Sequence, residues 1–210
     1  EVTADDVILM GGAQAALLST LLSFSRADDP VLLERLTYSQ LIDGVHFTQR
    51  RPVAVAIDDE GIVPAALDAA CTVSGAKLLF LVPTLQNPTN AVMSLERRKA
   101  IVEVARQHDL LLVEDDVYGY LVQDRPPPIA SLAPERTIYI TSASKCLAPG
   151  LRVAWVTAPR TRLLRLAEAA RVITVTQPGL TGAVASQWIE DGRAEDLLQW
   201  QRRENAARYE

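Results

Sequence analysis

The run Thr141-Ser142-Ala143-Ser144-Lys145 places a lysine directly after an apolar strand pattern, among small residues. Lysine prefers open surface. One held in a partly buried loop can lose its proton and form a Schiff base with a carbonyl, although such a lysine taken alone also reads as ordinary. Seven residues on, Gly150-Leu151-Arg152 either turns the chain or sets a guanidinium on a phosphate. Upstream, Val113-Glu114-Asp115-Asp116-Val117-Tyr118 ends an apolar strand pattern in carboxylates, with a tyrosine close behind. A carboxylate against a pyridine nitrogen keeps it protonated and makes the ring an electron sink. A Mg²⁺-binding pair and a solvated strand end are the rival readings, and the first lacks a G-x-x-x-x-G-K-[ST] loop. Strand alternation sends Asp115 and Asp116 to different sides. The three-residue spacing to Tyr118 favours Asp115 as the chemical residue, which leaves Asp116 as the solvated one.

Three more segments follow strand patterns. In Pro83-Thr84-Leu85-Gln86-Asn87-Pro88-Thr89-Asn90 a turn is expected, and the Asn87 amide could donate to a phenolate-like oxygen. Met10-Gly11-Gly12-Ala13-Gln14 opens a helix with glycines, which exposes free backbone N–H groups to an anion. It is not G-x-G-x-x-G, which disfavours a dinucleotide. Tyr38 is either a core aromatic or a stacking platform for a planar ring.

The elements that must position these residues are legible from periodicity. Val7–Met10, Val31–Glu34, Val53–Ile57, Leu78–Val82, Leu111–Glu114, Ile138–Thr141 and Val153–Thr157 read as strands. Several are apolar on both faces, the mark of a buried, mainly parallel sheet. Helices are expected at Ala13–Phe24, Tyr38–Gln49, Val63–Cys71 and Leu95–His108, the last capped by Ser94. Beyond Pro159 the pattern is wholly helical, with breaks near Gln177-Pro178-Gly179 and Asp191-Gly192, and it leaves Leu197, Leu198 and Trp200 as apolar surface. This is an α/β domain with a mainly parallel seven-stranded sheet, residues 1–158, followed by outgoing helices at 159–210. Ligands of such sheets bind beyond the carboxyl ends of the strands, where the residues above fall.

Composition bounds the function. The 210 residues are 49% hydrophobic, enough for a sizeable core, and the net charge of −5 argues against nucleic acid binding by this segment. Cys71 and Cys146 form no framework, His46 and His108 no zinc pattern, and no apolar run suits a membrane. No metal site and a cytoplasmic setting are expected. The chain opens at Glu1 and closes inside a helical pattern, so both ends read as cut from a longer protein.

Taken in order, these segments resemble the fold-type I pyridoxal-phosphate (PLP) enzymes of the aminotransferase class I/II superfamily, from Val7 to about Thr157 and more loosely beyond. The resemblance implies a three-layer αβα large domain with PLP as cofactor. It implies that Lys145 carries the cofactor covalently and moves the substrate proton. Asp115 would pair with the ring nitrogen, Asn87 and Tyr118 would hold the ring oxygen, and Tyr38 would stack on the ring. Gly12, Ala13, Gln14, Ser142, Ser144 and Arg152 would hold the phosphate. The family usually reads Asn-Pro-Thr-Gly; here Asn90 stands in the fourth place, and asparagine is next best to glycine in a left-handed conformation. The stretches Val113–Gly119, Pro127–Tyr139 and Trp188–Ala194 are similar to MocR-type regulators of the GntR family, in which a DNA-binding domain precedes an amino-acid- or amine-sensing aminotransferase-like domain. They are also similar to stand-alone aminotransferases acting on 2-aminoadipate or kynurenine. Either way the resemblance implies a homodimer, with the substrate-carboxylate clamp in a small domain after Glu210.

Overall fold

The computed structural model describes residues 3–209. In chain order the elements are β1 (Val7–Met10), α1 (Ala13–Phe24), β2 (Pro30–Glu34), α2 (Ser39–Phe47), β3 (Arg51–Val55), β4 (Ile57–Asp58), β5 (Gly61–Ile62), α3 (Pro64–Ser74), β6 (Leu78–Leu81), α4 (Leu95–Gln107) and β7 (Leu111–Asp115). Then come α5 (Ile129–Leu132), β8 (Thr137–Ser142), α6 (Ala143–Cys146), β9 (Ala154–Thr157), α7 (Arg160–Thr174), α8 (Gly179–Glu190) and α9 (Arg193–Tyr209). Among the described residues no helix is long and apolar enough to cross a membrane.

Seven strands form one sheet in the order β1-β9-β8-β7-β6-β2-β3. The pairs β2–β3, β2–β6, β6–β7 and β7–β8 are parallel, while β9 runs antiparallel to both β8 and β1. The central strands are buried on both faces: every residue of β6 and β7 is shielded. On one face Val31, Phe80, Val113 and Ile140 pack with α1, α2 and α7. On the other, Leu32, Leu79, Leu81 and Leu112 pack with α3, α4 and α5. The result is a three-layer αβα sandwich of mainly parallel strands, as the sequence pattern requires.

Boundaries differ where tertiary pairing overrides periodicity. The expected strand Val53–Ile57 begins at Arg51, which pairs with Pro30, and stops at Val55; Ile57 leaves the sheet to pair with Ile62 in a separate hairpin. Helix α3 continues to Ser74 and ends at Gly75, whose left-handed φ of 66° closes it. Helix α2 stops at Phe47, two residues short of the expected Gln49. The single-turn helices α5 and α6 were not expected, being too short to show a period. Ser94 does cap α4, accepting from the Arg97 N–H at 3.3 Å.

The outgoing helices wrap back. Leu198, expected on the surface, is buried with Cys146, Leu147 and Val153, because α9 lies against α6; Trp200 remains half exposed. Replacing Leu112, fully buried in the central strand β7, with Ala should lower stability by about 2–5 kcal/mol, read from the denaturant midpoint at unchanged slope.

Candidate functional site

The carboxyl ends of β2, β6, β7 and β8 and the start of α1 open on one cleft with room for about 330 Å³. Ala13, Gln14, Tyr38, Asn87, Asp115, Tyr118, Ser142, Ser144, Lys145 and Arg152 all line it. Of the expected site residues, Gly12 alone is not a wall; it lies beneath Arg152.

The strand period decides which carboxylate reaches the cleft. Asp115 shares its face with Val113 toward α1, whereas Glu114 and Asp116 turn with Leu112 toward the opposite layer. Glu114 is fully buried, accepts the Ile129 and Ala130 N–H groups at 2.9 and 2.8 Å, and lies 3.7 Å from Arg98. Asp116 pairs with Arg125 and accepts the Tyr139 hydroxyl at 2.6 Å. The expectation that Asp116 is solvated is therefore corrected. It is fully buried, because the chain after β7 folds over it and Arg125 closes the gap. Gly119 permits this, since any Cβ there would overlap both Asp116 and Arg125.

Asp115 is the one left without a counterion. It is 5% exposed, and its Oδ1 has no hydrogen-bond partner. Burial pushes its pKa up to about 6, against the opposing effects of Tyr38 and the Val117 N–H. Tyr38 is close enough to perturb Asp115, yet its own hydroxyl is also buried without a formed bond. Burial first, then the Asp115 charge, holds the Tyr38 phenol well above its ordinary range.

At the other end of the cleft, α1 begins at Gly12 with no side-chain cap. The Gly12 carbonyl accepts from Ala15 and Ala16, and among the described residues no acceptor faces the Ala13 and Gln14 N–H groups. The Gln14 side chain is already engaged, donating to the Gln40 carbonyl at 3.2 Å, so Gln14 offers its backbone. The Arg152 guanidinium lies so close that a Cβ on Gly12 would stand 2.4 Å from it, and the Gly12 φ of 98° independently requires glycine. Arg152 itself sits in a left-handed turn just before β9, its Nη1 3.4 Å from the Ser144 hydroxyl. Ser142, buried at the end of β8, caps α6 through the Ser144 N–H.

Lys145 stands on α6. Its ammonium is 5.5 Å from the centre of the Tyr118 ring and takes part in no hydrogen bond or ion pair among the described residues. The expectation of a partly buried amine is corrected: Lys145 is exposed, because the one-turn helix stands beyond the carboxyl end of β8, where the side chain borders the open cleft.

Asn87 reaches the cleft from the loop after β6, and Asn90 adopts φ 61°, the left-handed conformation expected of it. Sequence reasoning missed Glu34, Gln86 and Arg98, which brace that loop from below. Arg98 is buried and donates to the Pro83 carbonyl at 3.0 Å and the Thr84 hydroxyl at 2.9 Å. An arginine inside an amphipathic helix pattern gave no signal of this.

Two aspartates with opposite surroundings should respond oppositely. In the ligand-free protein Asp115→Asn should be neutral or stabilising, since it removes an unpaired buried charge. Asp116→Ala should cost about 3 kcal/mol by stranding Arg125, a cost moderated by that residue's partial exposure. The pH dependence has a definite sign. Asp115, Glu114 and Glu34 keep their protons to about pH 6, 7 and 8 in the folded protein, against roughly 4 when unfolded. The folded state binds more protons between those values, so stability falls as pH rises from about 4 to about 8. Asp115→Asn should flatten the lower part of that slope in urea titrations; an unchanged slope would refute the assignment.

Residues 1–209 match the family model for aminotransferase class I and II. The chain is 29% identical over 208 residues to the uncharacterized HTH-type transcriptional regulator YdeF of Bacillus subtilis, covering 99% of this chain and 45% of that protein. It is 32% identical over 202 residues to the 2-aminoadipate transaminase of Thermus thermophilus, covering 93% of this chain and 51% of that enzyme. The crystal structure of LysN, an alpha-aminoadipate aminotransferase also from Thermus thermophilus, complexed with N-(5'-phosphopyridoxyl)-L-leucine, superposes with a TM-score of 0.90 at 31% identity, covering 96% of this chain and 53% of that one. The chain thus spans about half the length of the relatives it matches.

Proposed function

The chain belongs to the aminotransferase class I and II family, and from that premise we propose that it binds pyridoxal phosphate through Lys145 and serves as the effector-sensing domain of a MocR-type transcriptional regulator. The observation that carries the cofactor reading is the pairing, across one cleft, of an uncompensated buried carboxylate with an anion cradle. Asp115 Oδ1 and the Tyr38 hydroxyl are orphaned at one end. The open N–H groups of α1, Arg152 and two serines converge at the other. A ring cation with a phosphate at its far end matches both. The regulator reading is supported by the similarity to an HTH-type regulator over nearly the whole chain. The similarity to a 2-aminoadipate transaminase favours the alternative, the large domain of a stand-alone amino-acid aminotransferase.

Bound pyridoxal phosphate supplies an aldehyde for condensation with an amine and a pyridine ring that withdraws electrons from the adjoining carbon. The residues do the rest. Asp115, held apart from solvent, would keep a proton on the ring nitrogen, and a cation there would return its carboxylate to the ionised form. Asn87 and Tyr118 would donate to the ring oxygen, and Tyr38 would lie against the ring. The phosphate would be held by the Ala13 and Gln14 N–H groups at a helix start, which favours an anion, by Ser142 and Ser144, and by Arg152 as a charged fork. Gly12 contributes by having no side chain where the Arg152 guanidinium passes. Lys145 Nζ, in no ion pair among the described residues, would attach to the cofactor and carry a proton at the substrate carbon. Other proposals follow from the family reading: an amino acid or amine as effector or substrate, a homodimer in the cytoplasm, and DNA contacted only by a separate N-terminal domain. With them goes the division into a cofactor core at 1–158 and connecting helices at 159–210.

Purified full-length protein should be yellow, and borohydride reduction should add the cofactor's mass to the Lys145 peptide. The mass on Lys77 or Lys99 would overturn the assignment. Arg152→Ala should weaken PLP binding roughly 10–100-fold, as expected for losing hydrogen bonds from a charged donor. For the regulator reading, an amino acid should change DNA affinity in a gel-shift assay without sustained turnover. Steady transamination of 2-aminoadipate by the full-length protein would favour the enzyme.

A further inference from the structure

Beneath Asn87 lies a buried bracket. Glu34, at the end of β2, is 2% exposed, and its Oε2 accepts the Val82 N–H at 3.3 Å and the Gln86 amide Nε2 at 3.1 Å. Gln86 is 1% exposed and fully engaged. Its Nε2 also donates to the Leu36 carbonyl at 2.6 Å, while its Oε1 accepts the Thr89 N–H at 3.0 Å and the Thr89 hydroxyl at 2.8 Å. Its backbone N–H donates to Ala91, and its carbonyl accepts from Asn90. One side chain thus ties β2 and the segment after it to both limbs of the loop, and the next residue in sequence is Asn87.

We propose that Glu34 and Gln86 are positioning residues for the ring end of the cofactor site: Glu34 holds the Gln86 amide, and Gln86 fixes the loop that presents Asn87 to the ring oxygen. This rests on the cofactor reading above. Turn signals alone would let the Pro83–Asn90 loop adopt several arrangements. A glutamine with both ends of its amide satisfied in the core selects one, because breaking either side leaves a buried polar group unpaired. Glu34 makes its contacts with Val82 and Gln86 through Oε2, and its Oε1 has no partner among the described residues. Burial pushes its pKa up to about 8, so it sits there as the neutral acid at neutral pH, with Asp115 and Tyr38 as its titratable neighbours.

The test reads the ring directly. A donor on the ring oxygen favours its anionic form, so misplacing Asn87 should raise the pH at which the bound chromophore changes colour. In the PLP-loaded full-length protein, Gln86→Leu and Glu34→Ala should raise that midpoint by about one unit and weaken PLP binding roughly tenfold, the scale of one hydrogen bond to a charged group. Glu34→Gln, which keeps an acceptor oxygen, should stay near wild type. Thr89→Val, a milder loss at an exposed residue, gives a smaller shift of the same sign should the core variants fold poorly. The double variant Gln86→Leu with Asn87→Ala should shift no further than Asn87→Ala alone, as for residues acting through one another. Lowered melting temperature with an unmoved midpoint, or additive shifts, would overturn the inference while leaving the cofactor in place. A wild-type protein that takes up no PLP would overturn both.

Discussion

Strand β7 runs out into three consecutive carboxylates, all buried, and the two-residue period of a strand forbids them from sharing a fate. Glu114 and Asp116 are driven into the layer of α4 and α5. There the Ile129 and Ala130 N–H groups, Arg98, Arg125 and Tyr139 compensate them. Asp115 is driven the other way, into a cleft where, among the described residues, no ion pair holds it and its Oδ1 has no hydrogen-bond partner. The two outer acids commit their bonding to the fold, fixing the chain after β7 and the loop after β6. The middle acid keeps an unpartnered Oδ1 in the cleft. A one-residue slip of register would exchange these roles.

The arrangement around Asp115 costs stability, and the cost is concentrated at the site. Three acids with raised affinity for protons and an unsatisfied phenol lie at or just beyond the carboxyl ends of β2 and β7 in an otherwise well-packed sheet. Well-paired groups such as Arg98 surround them. Binding sites commonly hold such locally unfavourable polar groups in place by the rigidity of their surroundings.

Most of the fold was legible because its strands are apolar on both faces and its helices carry long periods. That Asp115 and Asp116 face opposite layers was legible from strand alternation. The fate of Asp116 was not, since its partners Arg125 and Tyr139 lie 9 and 23 residues away and come together only when β8 pairs with β7. The Arg152–Gly12 contact likewise spans almost the whole domain. Glu34 and Gln86 were invisible for another reason: a glutamate at a strand end and a glutamine in a turn are ordinary by type, and only their burial marks them. Asn90 was legible because the left-handed requirement is local to the residue.

The protonated state of Asp115 near pH 6 carries into calorimetry. A cation that docks beside it favours the ionised carboxylate and so releases the fraction of a proton still bound, and the buffer must absorb it. The heat of binding measured at that pH will therefore contain the buffer's own ionisation enthalpy. Titrations in two buffers of unlike ionisation heat would separate the proton released from the contacts formed.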